Sequence, residues 1–370
     1  MHIASRDRQA EPRRVALLPD PSLDVHHHES HSRRHIANGV AKLLDTSARP
    51  EGEAVPGDYL VASRPLLPHE AIAHSVGGIH DIFGSIVPHA FVGSKVIVHP
   101  LATHDSRRPD GWVAGLGGEL DAVALRGFSA FARKDAMVAA HRLLDLGPVR
   151  LKRADACGGH GQTVVLDMQA FERAIDEIDD ADLENVGVVV EENLLRTRTL
   201  SVGSLVIGGW SGAYVGTQRQ AIDHLGRTVY GGSELRVLRG GLADMLDSGR
   251  GAEGLQAIRH VMHFEACVQR AFPSLLASRR NYDVLCGVDA KGEARMGILE
   301  QSWRVGGASA AEIAALLAFK EDPSLRAVDA ATWETYGSSA IPPSACVYYT
   351  DEYGRMGGLR KFVTWSPHGR

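Results

Sequence analysis

The chain has 370 residues, 44% of them hydrophobic and 23% charged, with a formal net charge of −5. That length calls for two or three subdomains, and the slight acidity excludes a broad cationic surface for nucleic acid or anionic lipid. No apolar run reaches the ~18–20 residues of a membrane span, and four cysteines without C-x-x-C spacing point to reduced thiols in a cytoplasm.

Residues 1–13 lack the apolar stretch of a signal peptide and are expected to be a disordered tail. Residues 14–19 read as a short strand. His26, His27, His28 and His31 stand close together, but consecutive residues cannot all face one ion, and a solvated loop is expected. Residues 32–44 have helical spacing, with Ile36, Val40, Leu43 and Leu44 on one side. Strands are expected at 59–62 and 95–98, with a short helix between 65 and 78. This alternation predicts a small N-terminal α/β lobe over 14–127.

A helix is expected over 136–146, capped by Asp135 and stopped by Gly147-Pro148. A strand at 149–152 leads into a glycine-rich turn and returns at 162–166. Residues 168–178 read as a helix, and 186–190 as a continuous apolar run that suits a buried strand. Further on, 200–206 and 212–219 alternate as antiparallel strands, with a hairpin turn at 223–226. Residues 253–272 read as a helix. Strands at 282–288 and 294–300 are joined by a turn at 289–292, and 309–320 reads as a helix. From Asp322 onward no period is clear, and 326–370 is expected as a C-terminal extension.

The most informative stretch is 149–162. A strand delivers Lys152, and six residues later come Gly158, Gly159, His160, Gly161 and Gln162. A lysine point charge followed by bare backbone N–H groups is a way to hold a polyphosphate. The spacing is neither a Walker A loop nor G-x-G-x-x-G, and a ligand-free glycine hairpin would read similarly. Cys157 in the turn is either reactive or simply small. Glu191 and Glu192 end an apolar strand, where a carboxylate can accept from an adenine amino group. The plain alternative is two acids opening a surface loop. Asp283 and Glu300 lie on two strands joined by a turn, so they can face one space, and oxygen ligands of that kind suit Mg²⁺. Arg304 near the same strand end can stabilise charge on a phosphoryl group, or else pair with Glu300.

Lys134, Lys152 with its glycine turn, E-x-x-L at Glu191–Leu194, Asp283, and E-x-S-x-R at Glu300–Arg304 form a series whose order resembles the ATP-grasp pattern, over roughly 128–320. The whole chain is also similar to a proteobacterial group of ATP-grasp-like proteins, with signature stretches at 280–283 and 299–309. The resemblance implies an α/β (α+β) ATP-grasp fold: a small N-terminal lobe, then two ATP-clamping α+β subdomains, a lid over 128–198 and a catalytic and metal subdomain over 199–325. It implies the cofactors ATP and Mg²⁺. Lys134 and Lys152 would touch phosphates, and Gly158, Gly159, His160, Gly161 and Gln162 would cover them. Glu191, Glu192 and the backbone near Leu194 would read adenine, and Asp283, Glu300 and Ser302 would hold Mg²⁺. Arg304, Arg280 and Arg219 would be catalytic, and residues 306–309 would face the second substrate.

The implied reaction is ligation of a small carboxylate to an amine or thiol through an acyl phosphate. A kinase and a non-catalytic nucleotide-binding protein are the alternatives. A second copy of the chain is the expected macromolecular partner, with no nucleic acid and no membrane. Three departures stand out. Ser302 replaces the usual asparagine, no acid stands among residues 196–199 to bind ribose, and either Arg219 or Gln218 fills the usual cationic position. Arg236, Arg239, Arg279 and Arg280 either bind an anionic substrate or are surface charge. Arg280, three residues before Asp283, is expected in the same cleft.

Overall fold

The structure, a computed structural model, describes residues 13–18, 27–156, 161–247, 251–354 and 356–368. The first lobe runs β1 (Val15–Leu17), α1 (His28–Leu43), β2 (Tyr59–Val61), α2 (Pro68–Ala73), β3 (Ile82–Phe83) and β4 (Ser85–Ile86). Two 3-10 turns follow, at Ala90–Gly93 and Lys95–Val98, and then α3 (Leu116–Leu120). Its strands β1, β2 and β3 pair in parallel and are fully buried. His27 caps α1, its ring Nδ1 accepting from the Glu29 amide at 3.3 Å. His28 and His31 lie against Tyr349, while His26 falls outside the described residues. Among the described residues no three acids, histidines or cysteines cluster to hold a metal.

Residues 95–98, expected as a strand, are a 3-10 turn with all four side chains buried. The reason lies in who satisfies its neighbourhood's carbonyls. The Gln301 amide donates to Val92 O at 3.0 Å and to Ser94 O at 2.7 Å, and the Ser129 hydroxyl donates to Val96 O at 2.6 Å. Side chains take the place of a ladder, so the backbone is free to coil.

The second lobe runs β5 (Gly127–Ala130), α4 (Arg133–Leu144), β6 (Val149–Arg153), β7 (Gln162–Val165), α5 (Met168–Asp176), α6 (Asp180–Asn185) and β8 (Val188–Glu192). Its antiparallel sheet has the order β5-β8-β6-β7. Asp167 caps α5, accepting from Ala170 N at 2.7 Å, and Phe171 and Ile175, one turn apart, point into the core. Helices α4 and α5 cover the face that carries Val149, Leu151, Val188 and Val190. Asp135 does not cap α4. It lies inside the first turn and accepts instead from Arg107 N at 2.8 Å.

The third lobe runs β9 (Leu195–Ile207), β10 (Trp210–Ile222), β11 (Thr228–Arg239), α7 (Leu242–Met245), α8 (Ala252–Ala271), β12 (Leu276–Ala277), β13 (Arg279–Val288), β14 (Ala294–Ser302), α9 (Ser309–Glu321), β15 (Ala327–Thr335), β16 (Cys346–Thr350) and β17 (Arg360–Pro367). Eight of these strands form one sheet, in the order β14-β13-β9-β10-β11-β15-β17-β16. The residues beyond 326 are therefore no separate extension: β15 pairs with β11 over Ala327–Trp333 and completes the large sheet. Small residues such as Ala330 and Ala331 blur the alternation that would have shown it.

Helix α8 packs on the sheet face bearing Leu200, Val202, Val215, Tyr282, Val284 and Ile298. Helices α1 and α9 cover one end of the opposite face, over Leu205, Tyr214, Leu235 and Val328. This is the lobed α/β arrangement that the ATP-grasp resemblance implies.

A buried ion pair ties α9 to the sheet. Arg279 donates Nε to Glu312 Oε2 at 3.0 Å and NH2 to Oε1 at 2.6 Å, and both side chains are about fully buried at 1% and 0% exposure. Its NH1 donates to Ser302 O at 2.8 Å, and also to Arg304 O, which shapes the loop between β14 and α9. Arg279→Met would leave the buried Glu312 without a cation, with the Tyr214 hydroxyl still donating to it at 2.6 Å. The expected loss is about 3–5 kcal/mol, read as a lower denaturant midpoint, and an unchanged midpoint would show that the pair does not anchor α9.

Candidate functional site

Strand residues alternate between faces, and the register decides which candidates share one. Asp283 stands opposite Glu300, and Asn281 opposite Ser302, across β13 and β14. Through β9 the same face continues to Ser201, and on β10 to Gly216 and Gln218. The two carboxylates expected to share a space do so, and Asn281 and Ser302 flank them. Asn281 Nδ2 donates to Asp283 Oδ1 at 3.2 Å. Burial first, and then the charge of Glu300, push the Asp283 carboxyl up to about 6, against hydrogen bonds from Gln218 and Asn281.

Glu300 does not pair with Arg304. Its Oε2 lies 2.9 Å from Lys95 Nζ, and Arg304 NH1 donates to Val305 O at 2.8 Å. Among the described residues Arg304 has no carboxylate partner. Gly307, on the neighbouring loop, lies against Tyr230, so close that a Cβ there would sit 2.5 Å from the ring.

Two expected catalytic arginines belong to the other face. Arg280 sits one residue out of phase with Asn281 and turns toward α8, where it lies 3.4 Å from Glu265. Arg219 pairs with Glu234 and stacks 3.9 Å over the Trp333 ring. The residue of β10 on the carboxylate face is Gln218, which donates to Ser201 Oγ at 3.3 Å. Arg236 pairs with Asp329 and Arg239 donates to Phe319 O, so these cations are also engaged.

In the second lobe, the face free of α4 and α5 carries Lys152, Glu191 and Gln162. Lys152 stands opposite Gln162, and Arg150 opposite Glu191. The Lys152 ammonium pairs with Glu191, and both are buried. His99 Nε2 lies 3.4 Å from the other oxygen of Glu191. Burial alone would raise the Glu191 carboxyl, but Lys152 and His99 bring it down to about 2. An acid expected to read adenine is thus held inside, as the counter-ion of the phosphate-binding candidate.

Glu192 accepts from Arg126 N at 2.9 Å and from Arg295 NH2 at 3.3 Å, tying β8 to β14 where the second lobe meets the third. Leu194 is buried in the turn from β8 to β9. Lys134 is exposed on the first turn of α4, apart from Lys152. Gly158, Gly159, His160 and Cys157 lie outside the described residues. Gly161, which ends that turn, has φ of +61°, a left-handed conformation that glycine adopts at no steric cost.

Sequence reasoning missed Lys95, His99 and Asn281. Lys95 and His99 bracket an apolar run, and a buried lysine heading such a run was the available signal. Asn281 lies two residues before Asp283, hence on its face. A cavity of about 480 Å³ opens on the α8 side of the same strands, lined by Arg196, Arg198, Glu253, Cys286, Arg295 and Met296. It is not where the carboxylates meet.

The family described as "Protein of unknown function (DUF3182)" matches residues 19–363. The chain belongs to that family. No curated protein matches the sequence. Among solved structures, the chain is similar to carboxyaminoimidazole ribonucleotide synthase from Aspergillus clavatus complexed with ATP, at 10% identity and a TM-score of 0.49, covering 96% of this chain and 94% of that one. It is similar to N5-carboxyaminoimidazole synthetase from Staphylococcus aureus complexed with ADP, at 11% identity and a TM-score of 0.40. There the match covers 66% of this chain and spans 63% of the length of the other. D-alanyl-alanine synthetase A from Vibrio cholerae matches at 11% identity and a TM-score of 0.42, over 79% of this chain and 88% of that one.

The raised Asp283 carboxyl makes a stability prediction. Its folded value, about 6, lies above the usual carboxylate value, so the folded state holds its proton more tightly than the unfolded one. Its charge therefore costs stability, and that cost grows as pH rises from about 4 through 6. Asp283→Asn is expected to raise the melting temperature at pH 7.5 in metal-free buffer by roughly 2–4 °C, with the gain vanishing below pH 4. A variant that melts lower at pH 7.5 would mean that Asp283 is a structural partner and not a strained one.

Proposed function

We propose that the chain is an ATP-dependent ligase that joins a small carboxylate to an amine or thiol through an acyl phosphate. The observation that carries this reading is the Asp283–Glu300 pair, two carboxylates facing each other on the sheet face opposite α8, beside the end that α1 and α9 cover, with Arg304 following two residues after Ser302. Two like charges do not meet in a partly buried place without a purpose that needs both.

The donor set fits Mg²⁺. Two carboxylates, the Asn281 amide oxygen and the Ser302 hydroxyl are hard oxygen ligands, and such ions are usually held by one or two carboxylates with phosphates and waters. When bound, the ion would neutralise charge on the transferring phosphoryl group. Lys152 would supply a point charge to the phosphates, with Glu191 orienting its ammonium and His99 bracing the other oxygen of Glu191. Arg304, without an acidic partner among the described residues, would meet the phosphoryl group as it moves. In that transfer the bond from the γ-phosphorus to the ADP oxygen breaks, and a bond to the substrate's carboxylate oxygen forms. The amine or thiol then attacks the carbonyl carbon and phosphate leaves. The chain's task is to position these groups and exclude water.

The test is trapping. Purified protein, Mg-ATP and a panel of small carboxylic acids are incubated with hydroxylamine, and both ADP and hydroxamate are measured. At least one acid is expected to release ADP with a matching amount of hydroxamate, and Glu300→Gln is expected to lower both by orders of magnitude at unchanged fold. ADP without hydroxamate would make the protein a kinase. No ADP with any acid and no melting shift with Mg-ATP would leave the ligase reading without support.

A further inference from the structure

Among the described residues, Lys95 is a buried lysine that joins the carboxylate pair to the segment following β6. Its Nζ lies 2.9 Å from Glu300 Oε2 and donates to Ala156 O at 2.7 Å. Ala156 is the last described residue before the glycine-rich turn, and Glu300 belongs to the carboxylate pair. The lysine's own backbone is fixed on both sides. Gln301, the neighbour of Glu300, grips Val92 O and Ser94 O, while Ser129 of β5 grips Val96 O. A single ammonium thus bridges the large sheet and the segment entering the glycine turn, from a mount that both lobes hold still.

The charges explain why a cation stands there. Asp283 and Glu300 bring two formal negative charges to one place, and Lys95 offsets one of them. A divalent ion arriving at the same carboxylates would put three positive charges against two negative ones, and like charges so close repel strongly. Lysine suits a group that must yield. It is a compact charge on a flexible stem, with rotatable donors that can be turned elsewhere, whereas an arginine fork would hold the carboxylate in two bonds.

We propose that Lys95 is a placeholder cation: it neutralises Glu300 until a divalent ion binds there, and its displacement cuts the tie between the large sheet and the segment at Ala156. Metal loading and loosening of the segment that ends at Ala156 are then one event. This rests on the metal reading of Asp283 and Glu300 given above.

Mn²⁺, read by electron paramagnetic resonance without nucleotide, is the probe. Lys95→Met keeps the length of the side chain and removes its charge. The variant is expected to bind Mn²⁺ about tenfold more tightly than the unaltered protein, since the ion no longer competes with the ammonium. Hydrogen exchange supplies the second measurement. In the unaltered protein Mn²⁺ is expected to speed exchange of the amides at 154–156 and 161–163, and in Lys95→Met those amides exchange fast from the start and ignore the ion. A merely structural lysine predicts weaker or equal Mn²⁺ binding in the variant, and that result overturns the proposal while leaving the metal site standing. If Lys95→Met does not fold, unchanged exchange at 154–156 in the unaltered protein on adding Mn²⁺ overturns it equally. Absence of Mn²⁺ binding in both proteins removes the metal reading itself, and this inference with it.

Discussion

Two carboxylates held face to face across a β-ladder are the costly feature around which the rest is arranged. Asp283 and Glu300 cannot share their place as free anions without a cation or a proton. The structure answers with both: the ammonium of Lys95 on Glu300, and a raised carboxyl on Asp283. The neighbours on the same face are neutral hydrogen-bonding groups, Gln218, Asn281, Ser201 and Ser302, which can orient carboxylates without competing for charge. The arginines nearby are engaged elsewhere, although Arg279 NH1 also reaches Ser302. Arg279 is spent on Glu312, and Arg280 and Arg219 are turned to the far face. A site meant to stay a salt bridge would have used one of these arginines.

The second lobe repeats the theme with the opposite sign. Lys152 is a buried ammonium paired with Glu191, whose other oxygen meets His99. An unpaired buried ammonium would be expensive, and the acid at the end of β8 is the partner that offsets that cost. The two lobes then meet through side chains that bridge them: Glu192 to Arg295 at the junction of β8 with β14, and Lys95 from Glu300 to Ala156. These are polar, partly exposed contacts, of the kind that can be exchanged when lobes move.

Much of this was legible in the residues. The turn at 289–292 and the alternation on either side of it were enough to show a hairpin, but its own register would set Asp283 opposite Leu299; the irregularity between Asp283 and Val284 brings Glu300 opposite instead. The glycine turn after Lys152 set Lys152 beside Gln162. Arg280 was misread although the signal was present: it lies an odd number of residues from Asp283, and on a strand that puts it on the other face. Gln218 and Arg219 differ by one residue, and only the pairing with β9 decides between them. Lys95 was out of reach, since its partners are 61 and 205 positions away and its segment looks like a strand until one sees side chains satisfying its carbonyls. The strands beyond Asp322 were hidden for another reason: alanines at 330 and 331 carry too little contrast between faces.

The account's central claim is that nucleotide and metal meet on the carboxylate face of the large sheet. A crystal structure of the protein with Mg²⁺ and a non-hydrolysable ATP analogue tests it most directly. The account predicts a metal ion bound by Asp283 and Glu300, phosphates in contact with the Lys152 ammonium, and Lys95 moved off Glu300. A nucleotide lodged instead in the arginine-lined cavity on the α8 side, or an ion that leaves Asp283 and Glu300 untouched, would contradict it.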